Sequence, residues 1–231
     1  MSLSQPTDSK RKRAPSKRAL ATRERVLDAA EAVFALRGFD GATIRDIAAE
    51  AGEPVGTIHH HGGGKEALFQ QTVARRAEAL SRARLEALAA AKASAKASAK
   101  ASAKAEGAPE LEAVLEAFIR PFFDLSKQEA RWRNYARLVA FVSVDDRWSE
   151  ISAQYFDPTA EVFLAEICAL VPEGARGQVA ASFVFTVSST LALLTSQGRI
   201  AALSGALGAE PTEEKAQIGQ LVRFCAAGMR G

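Results

Sequence analysis

The chain has 231 residues, with 30 Lys and Arg against 27 Asp and Glu, 48% hydrophobic residues, 7% aromatic residues and two cysteines. These values are ordinary for a globular protein and exclude disorder of the whole chain and a disulfide scaffold, while the length allows one large domain or two small ones. The net charge of +3 conceals an asymmetry: residues 1–104 hold 19 basic and 11 acidic side chains, a balance of +8, and residues 105–231 hold 11 and 16, a balance of −5. A basic front half points to a polyanionic partner, nucleic acid or anionic membrane, and composition leaves both open.

Residues 1–18 mix Lys, Arg, Ser and Pro with six basic residues to one acidic and read as a flexible basic arm. No apolar run follows its charges, so it is not a secretory signal, and the expected location is the cytoplasm. From Ala19 the pattern turns helical: Leu20, Val26, Leu27, Ala30, Val33 and Phe34 recur at helical spacing until Arg37-Gly38, where a glycine is placed to end a helix. Thr43 is placed to cap a second helix from Ile44 to Ala51, and Gly52-Glu53-Pro54 breaks it. A short third helix, Val55 to His61, precedes Gly62-Gly63-Gly64 and a long amphipathic helix that begins near Lys65.

That long helix loses its apolar face in an Ala-Lys-Ala-Ser repeat over residues 91–105. A period of four on a 3.6-residue helix makes Lys92, Lys96, Lys100 and Lys104 drift by roughly 40° per repeat, which leaves a cationic stripe and no seam to bury. The repeat reads as a solvated helical extension or a frayed linker. Five further helical segments follow, near 111–126, 130–144, 147–171 with an interruption at Asp157-Pro158, 175–203 and 212–229. No stretch alternates apolar and polar residues, and no hairpin turn signal is present, so the expected fold is all-α. Its parts are an arm (1–18), a three-helix head (19–66), a connecting helix (67–107) and a helical body (108–231).

Residues 177–198 carry no charge. About 20 apolar residues can span a bilayer, but the Ser, Thr and Gln content here argues against a span and for burial in a core or between subunits. Cys168 and Cys225 have neither C-x-x-C spacing nor nearby His and read as free thiols.

Ile44 to Lys65 fits a helix-turn-helix, two short helices joined by a glycine-bearing turn with the second free to enter a major groove. Ile47, Ala48, Ala51 and Ile58 would pack on the first helix. The outward residues Val55, Gly56, Thr57, His59, His60 and His61 are small or flat enough to approach base edges and phosphates, with Arg45 reaching a base or phosphate and Thr43 and Lys65 flanking the surface. Other readings fail on geometry. Adjacent His on a helix point about 100° apart and do not converge on one metal ion. A phosphate-binding loop would need Gly where His59 stands and Ser or Thr where Glu66 stands. All three His lie in the presumed recognition helix, so no catalytic constellation forms around one elsewhere. Neither cofactor nor enzymatic activity is expected.

TRERVLDAAEAVFALRGFDGATIRDIAAEAG, followed by GTIHHH and GKEALF, resembles the DNA-binding domain of the TetR family of bacterial transcriptional regulators over Ala19 to Phe69. Carried over position by position, the family's groove and phosphate contacts fall on Thr43, Arg45, Val55, Gly56, Thr57, His59, His61 and Lys65. Three positions depart from the pattern. Glu53 replaces an apolar residue, and His59 replaces a phosphate-contacting Tyr. Gly62 stands where a Phe commonly closes the head core, a loss of about 3 kcal/mol if nothing refills the space. Because His59 donates more strongly when protonated, operator affinity is expected to rise as pH falls toward 6.

The resemblance implies a homodimer built on the last two long helices and a body enclosing a small apolar effector, whose binding favours a head spacing that no longer matches the operator. Candidate pocket residues come from the aromatic concentration of the body: Phe118, Phe122, Trp132, Tyr135, Phe141, Tyr155 and Phe156. The body is also similar to regulators that respond to fatty-acyl or other apolar compounds. The reading is therefore a ligand-responsive repressor that binds a double-stranded, pseudo-palindromic operator as a homodimer, with no membrane partner. The alternative is a basic protein-interaction or membrane-peripheral module acting through its arm and Lys stripe.

Overall fold

A computed structural model describes residues 17–101, 109–210 and 212–230. Most of the basic arm and the end of the Ala-Lys-Ala-Ser repeat, including Lys104, lie outside the described residues. Within them every regular element is helical: α1 (Lys17–Gly41), α2 (Ile44–Ala51), α3 (Val55–Gly62), α4 (Lys65–Ala101), α5 (Leu111–Gln128), α6 (Trp132–Ser143), α7 (Ser149–Tyr155), α8 (Asp157–Leu170), α9 (Arg176–Thr195), α10 (Gln197–Ala206) and α11 (Glu214–Arg230), with two 3-10 turns between α6 and α7 and between α8 and α9.

The head forms as its local signals dictate. Gly38 has φ 69°, a left-handed conformation that breaks the helical course of α1 and turns Phe39 toward the body. Thr43 and Asp46 make a reciprocal capping box: the Asp46 amide donates to Thr43 Oγ1 at 3.1 Å, and the Thr43 amide donates to Asp46 Oδ2 at 3.1 Å. Gly52, with φ 62°, closes α2 and lets the chain reverse into α3. The head core is Val26, Leu27, Ala30, Phe34, Ile47, Ala48 and Ile58 on α1 to α3, completed by Leu68 and Phe69 from α4.

Where the family commonly has Phe, Gly62 leaves no hole. A Cβ built there would lie 2.9 Å from Leu68 Cδ1 and 3.2 Å from Leu68 Cβ, so Leu68 already occupies the space. The aromatic closure comes from elsewhere. Phe69 packs edge-on against Phe34 and Phe39, with centroids at 5.1 and 5.4 Å, and Trp148 from the body covers Phe39 and Phe69 at 4.7 and 4.5 Å. A second departure, Glu53, is compensated by an ion pair with Arg25 at 2.5 Å. The expected weakening of the head at Gly62 is thus corrected by a neighbouring helix and a body residue, neither of which local spacing reveals.

At 37 residues α4 is about 55 Å long. Its first turns close the head, its middle packs on α5 and α6, and its described end runs to Ala101 as a helix. Lys92 pairs with Glu166 of α8 at 2.5 Å, while Lys96 and Lys100 are exposed. The body wraps α5, α6, α8, α9 and α11 around Phe118, Phe122, Phe123, Leu138, Phe163, Ile167, Phe183 and Ile218. The uncharged segment, expected as one helix buried in a core or between subunits, differs in that it divides into α9 and α10 at Ser196. In the single chain α9 is buried on one side, and Val184 and Phe185 are exposed. Its buried side packs on α6, α8 and α11. By length and composition α9 is the one helix among the described residues apolar enough to cross a membrane.

Candidate nucleic-acid interface and effector cavity

Ile58 and Gly62 are the buried residues of α3. Val55, Gly56, His59 and His60 are exposed, and Thr57 and His61 are half-buried, as helical rotation away from Ile58 requires. Thr43 and Arg45 are exposed on the neighbouring end of α2, and Lys65 is half-buried at the start of α4. All nine residues singled out in the sequence therefore reach solvent on the head.

Some of them already have partners. The Thr43 hydroxyl donates to Asp46 Oδ2 at 2.7 Å, and that bond holds the Asp46 carboxyl below the usual carboxylate range. His59 Nδ1 lies 3.3 Å from the Gly63 carbonyl at the end of α3. Lys65 Nζ donates to the Asp40 carbonyl at 3.4 Å and sits 4.5 Å over the Phe39 ring. Among the described residues Arg45 makes no ion pair or side-chain hydrogen bond.

The head is bound to the body by a buried ionic cluster. Arg76 on α4 donates from Nε to Glu31 on α1 at 2.7 Å and from Nη1 and Nη2 to Glu129, just after α5, at 3.0 Å each. Burial raises the Glu31 carboxyl against the opposing pull of Arg76. Arg75 and Arg131 pair with Asp28, and their hydrogen bonds outweigh the larger single effect of burial, so that carboxyl is held low. Tyr135 donates from Oη to the Val73 carbonyl at 3.0 Å, and burial raises its phenol well above the ordinary range. At the other end of the head, Arg147 bridges Asp40 through bonds of 3.0 and 2.8 Å and stands beside Phe39 and Trp148.

Beyond this cluster an apolar cavity of about 300 Å³ lies among α4, α5, α6, α8 and α9. Leu80 and Arg84 of α4, Phe118 and Phe122 of α5, Val139 of α6, Phe156, Leu164 and Phe183 wall it. Of the aromatic residues proposed from sequence, Phe118, Phe122 and Phe156 line it and the other four do not. Tyr135 and Trp132 are core residues, Trp132 lying under the Arg76 guanidinium at 5.1 Å. Phe141 sits at the surface over the Gly38 kink, and half-buried Tyr155 packs against the core. The reason is rotational. On α6, Trp132 and Tyr135 pack on Arg76 and Val73 of α4 and on Phe122 of α5, Phe141 lies beside Gly38 of α1, and Val139 and Ser143 line the cavity. Sequence reasoning missed Arg84 and Phe183: Arg84 is hidden among charged neighbours on α4, and Phe183 in a run with no charge to set its orientation.

A helix-turn-helix head carried on a long helix that also walls an apolar cavity defines a DNA-binding transcription regulator of the all-α kind. Residues 26–72 match the model of bacterial regulatory proteins of the tetR family, and residues 116–228 match the tetracyclin repressor-like C-terminal domain. Together these matches cover more than half of the chain, which belongs to the TetR family.

The chain is 39% identical over 64 residues to the HTH-type transcriptional repressors AcnR of Corynebacterium efficiens and Corynebacterium glutamicum. The stretch covers 26% of this chain and 34% of those relatives, so the match spans about a third of their length. Among solved structures, a transcriptional regulator from Rhodococcus sp. Rha1 is similar over 90% of this chain and 95% of its own at 21% identity and a TM-score of 0.53. The transcriptional regulator FadR from Bacillus subtilis, solved in complex with stearoyl-CoA, is similar over 89% of this chain and 98% of its own at 17% identity and a TM-score of 0.54. These two likenesses show a shared fold.

Proposed function

We propose that this chain is a ligand-responsive transcriptional repressor, acting in the cytoplasm as a homodimer on a pseudo-palindromic operator and released when a small apolar effector fills the cavity. One observation carries the reading: α4 both closes the head core, through Leu68 and Phe69, and walls the cavity, through Leu80 and Arg84. A ligand that moves α4 therefore moves the head, and a small shift in each protomer changes the spacing of two recognition helices. The shift requires a ligand with different affinity for the two arrangements.

The proposed DNA contacts are Thr43, Arg45, Val55, Gly56, Thr57, His59, His60, His61 and Lys65, for which the support is that each reaches solvent on the helix-turn-helix or at its flanks. The exposed apolar residues Val184 and Phe185 of α9 and Phe224 of α11 support a dimer through these two helices. As a member of a family of DNA-binding regulators, the chain is read as a non-enzymatic protein. Selecting bound duplexes from a random pool tests the reading. The expected result is one pseudo-palindrome bound at least about a thousandfold more tightly than random duplex. Equal binding to all duplexes, together with sedimentation on anionic vesicles, would refute it.

A further inference from the structure

We propose that the cavity takes an apolar monocarboxylate of roughly ten to fourteen non-hydrogen atoms, the number that fills such a space at interior packing density, with its carboxylate on Arg84. This rests on the ligand-responsive reading above and gives its effector a chemical class.

The observation is a cation without a counter-charge. Among the described residues of α4, Arg75 pairs with Asp28 and Glu24, Arg76 with Glu31 and Glu129, and Arg82 with Glu78. Arg84 has no such partner. Its Nε donates to the Phe118 carbonyl at 3.0 Å, and its guanidinium lies 3.7 Å over the Phe118 ring and 5.9 Å from the Phe122 ring. Among the described residues no carboxylate makes an ion pair with it, and no acceptor bonds its two terminal nitrogens, which form the fork that matches a carboxylate.

The side chain is half-buried by surface area, its uncovered part lining the cavity, yet enclosed by protein deeply enough that loss of water pushes its pKa down to about 9. A buried cation of this kind is costly unless an anion or a full set of hydrogen bonds compensates it. The remaining wall is mostly apolar, with Leu80, Leu164 and Phe183, and suits a hydrocarbon body, although Ser143, Ser152, Ser188 and Thr190 also line it. The one carboxylate that lines the cavity, Asp157, is exposed at its edge. Arg84 balances one negative charge, and Asp157 at the edge repels a second, which disfavours a dianion such as a phosphate monoester.

The test is calorimetric titration of the full chain with decanoate and, separately, with 1-decanol, each below its aggregation limit. Decanoate is expected to bind at least about tenfold more tightly, as a charge-assisted bidentate pair would give. In Arg84→Met that preference is expected to vanish while decanol binding persists. Decanol binding equally well or better to the unaltered protein would overturn the carboxylate assignment and leave the effector cavity standing. Failure of both ligands to bind would overturn the cavity reading as well. A tenfold preference retained in Arg84→Met would also overturn the assignment. If that variant does not fold, the two ligands on the unaltered protein, with Arg84→Lys expected to keep part of the preference, decide the matter.

Discussion

Replacing Arg76 by Met tests whether the ionic cluster holds head and body together. The substitution leaves a side chain of similar length in place but removes the guanidinium that donates to Glu31 at 2.7 Å and to Glu129 at 3.0 Å. Glu31 is 1% exposed, and its second oxygen, Oε1, has no hydrogen-bond partner. Without Arg76 it must either protonate or draw water into the head, and breaking a buried pair in this way typically costs about 3–5 kcal/mol. Glu129 is 45% exposed and adds little when released. Because protonation offers Glu31 an escape, the expected loss at pH 7 is near the lower figure, about 3 kcal/mol.

Urea unfolding followed by circular dichroism at fixed protein concentration measures it. The double substitution Arg76→Met/Glu31→Met is expected to recover most of the loss, since a buried pair replaced by apolar groups is often neutral or better. An Arg76→Met loss below about 1 kcal/mol, or a double variant no more stable than the single, would refute the reasoning.

Phe185→Glu and Phe224→Glu place a charge on the exposed faces of α9 and α11, where the two side chains are 65% and 69% exposed in the single chain. Sedimentation velocity should show a monomer, with helical content by circular dichroism unchanged, and a persistent dimer would place the interface elsewhere. Gly62→Phe, which restores the residue common in the family, should destabilise the head by about 1–3 kcal/mol because Leu68 already fills the space; a raised melting temperature would contradict that packing. Arg45→Ala should lower affinity for the selected operator by about 1–3 kcal/mol and relax preference at one base position, read by competition with single-site operator variants. The carboxyls of Asp28 and Glu129 are held low, so their contribution is complete above the unfolded-state pKa of about 4 and is lost as pH falls through the folded values. Glu31, held high by burial, has the opposite sign: its contribution is lost as pH rises through its folded value. Melting temperature should therefore fall in the acid range, and Glu31→Gln should steepen that fall.

What local sequence determined was the head. Gly38, Thr43 with Asp46, and Gly52 act within a few residues of themselves, so a break, a cap and a reversal are legible without knowing what packs on them. Helical periodicity does the same for the all-α body, because a 3.6-residue repeat follows from which face meets the core. The outward face of α3 is set once Ile58 points inward.

What only the tertiary structure decided was which aromatic residue faces a cavity and which charge faces inward. Phe118 and Tyr135 are alike in the sequence, since an aromatic ring packs as well in a solid core as beside an empty space; only the rotation of α5 and α6 against their neighbours separates them. Arg75, Arg76 and Arg84 look like part of the basic run that gives the front half its excess charge. The fold turns the first two into ion pairs that tie the head down and leaves the third beside the cavity with no ion-pair partner among the described residues. Charge counting sees the number of cations, but their effective charge depends on the distance to an anion and on the water removed, and both are properties of the packed helices.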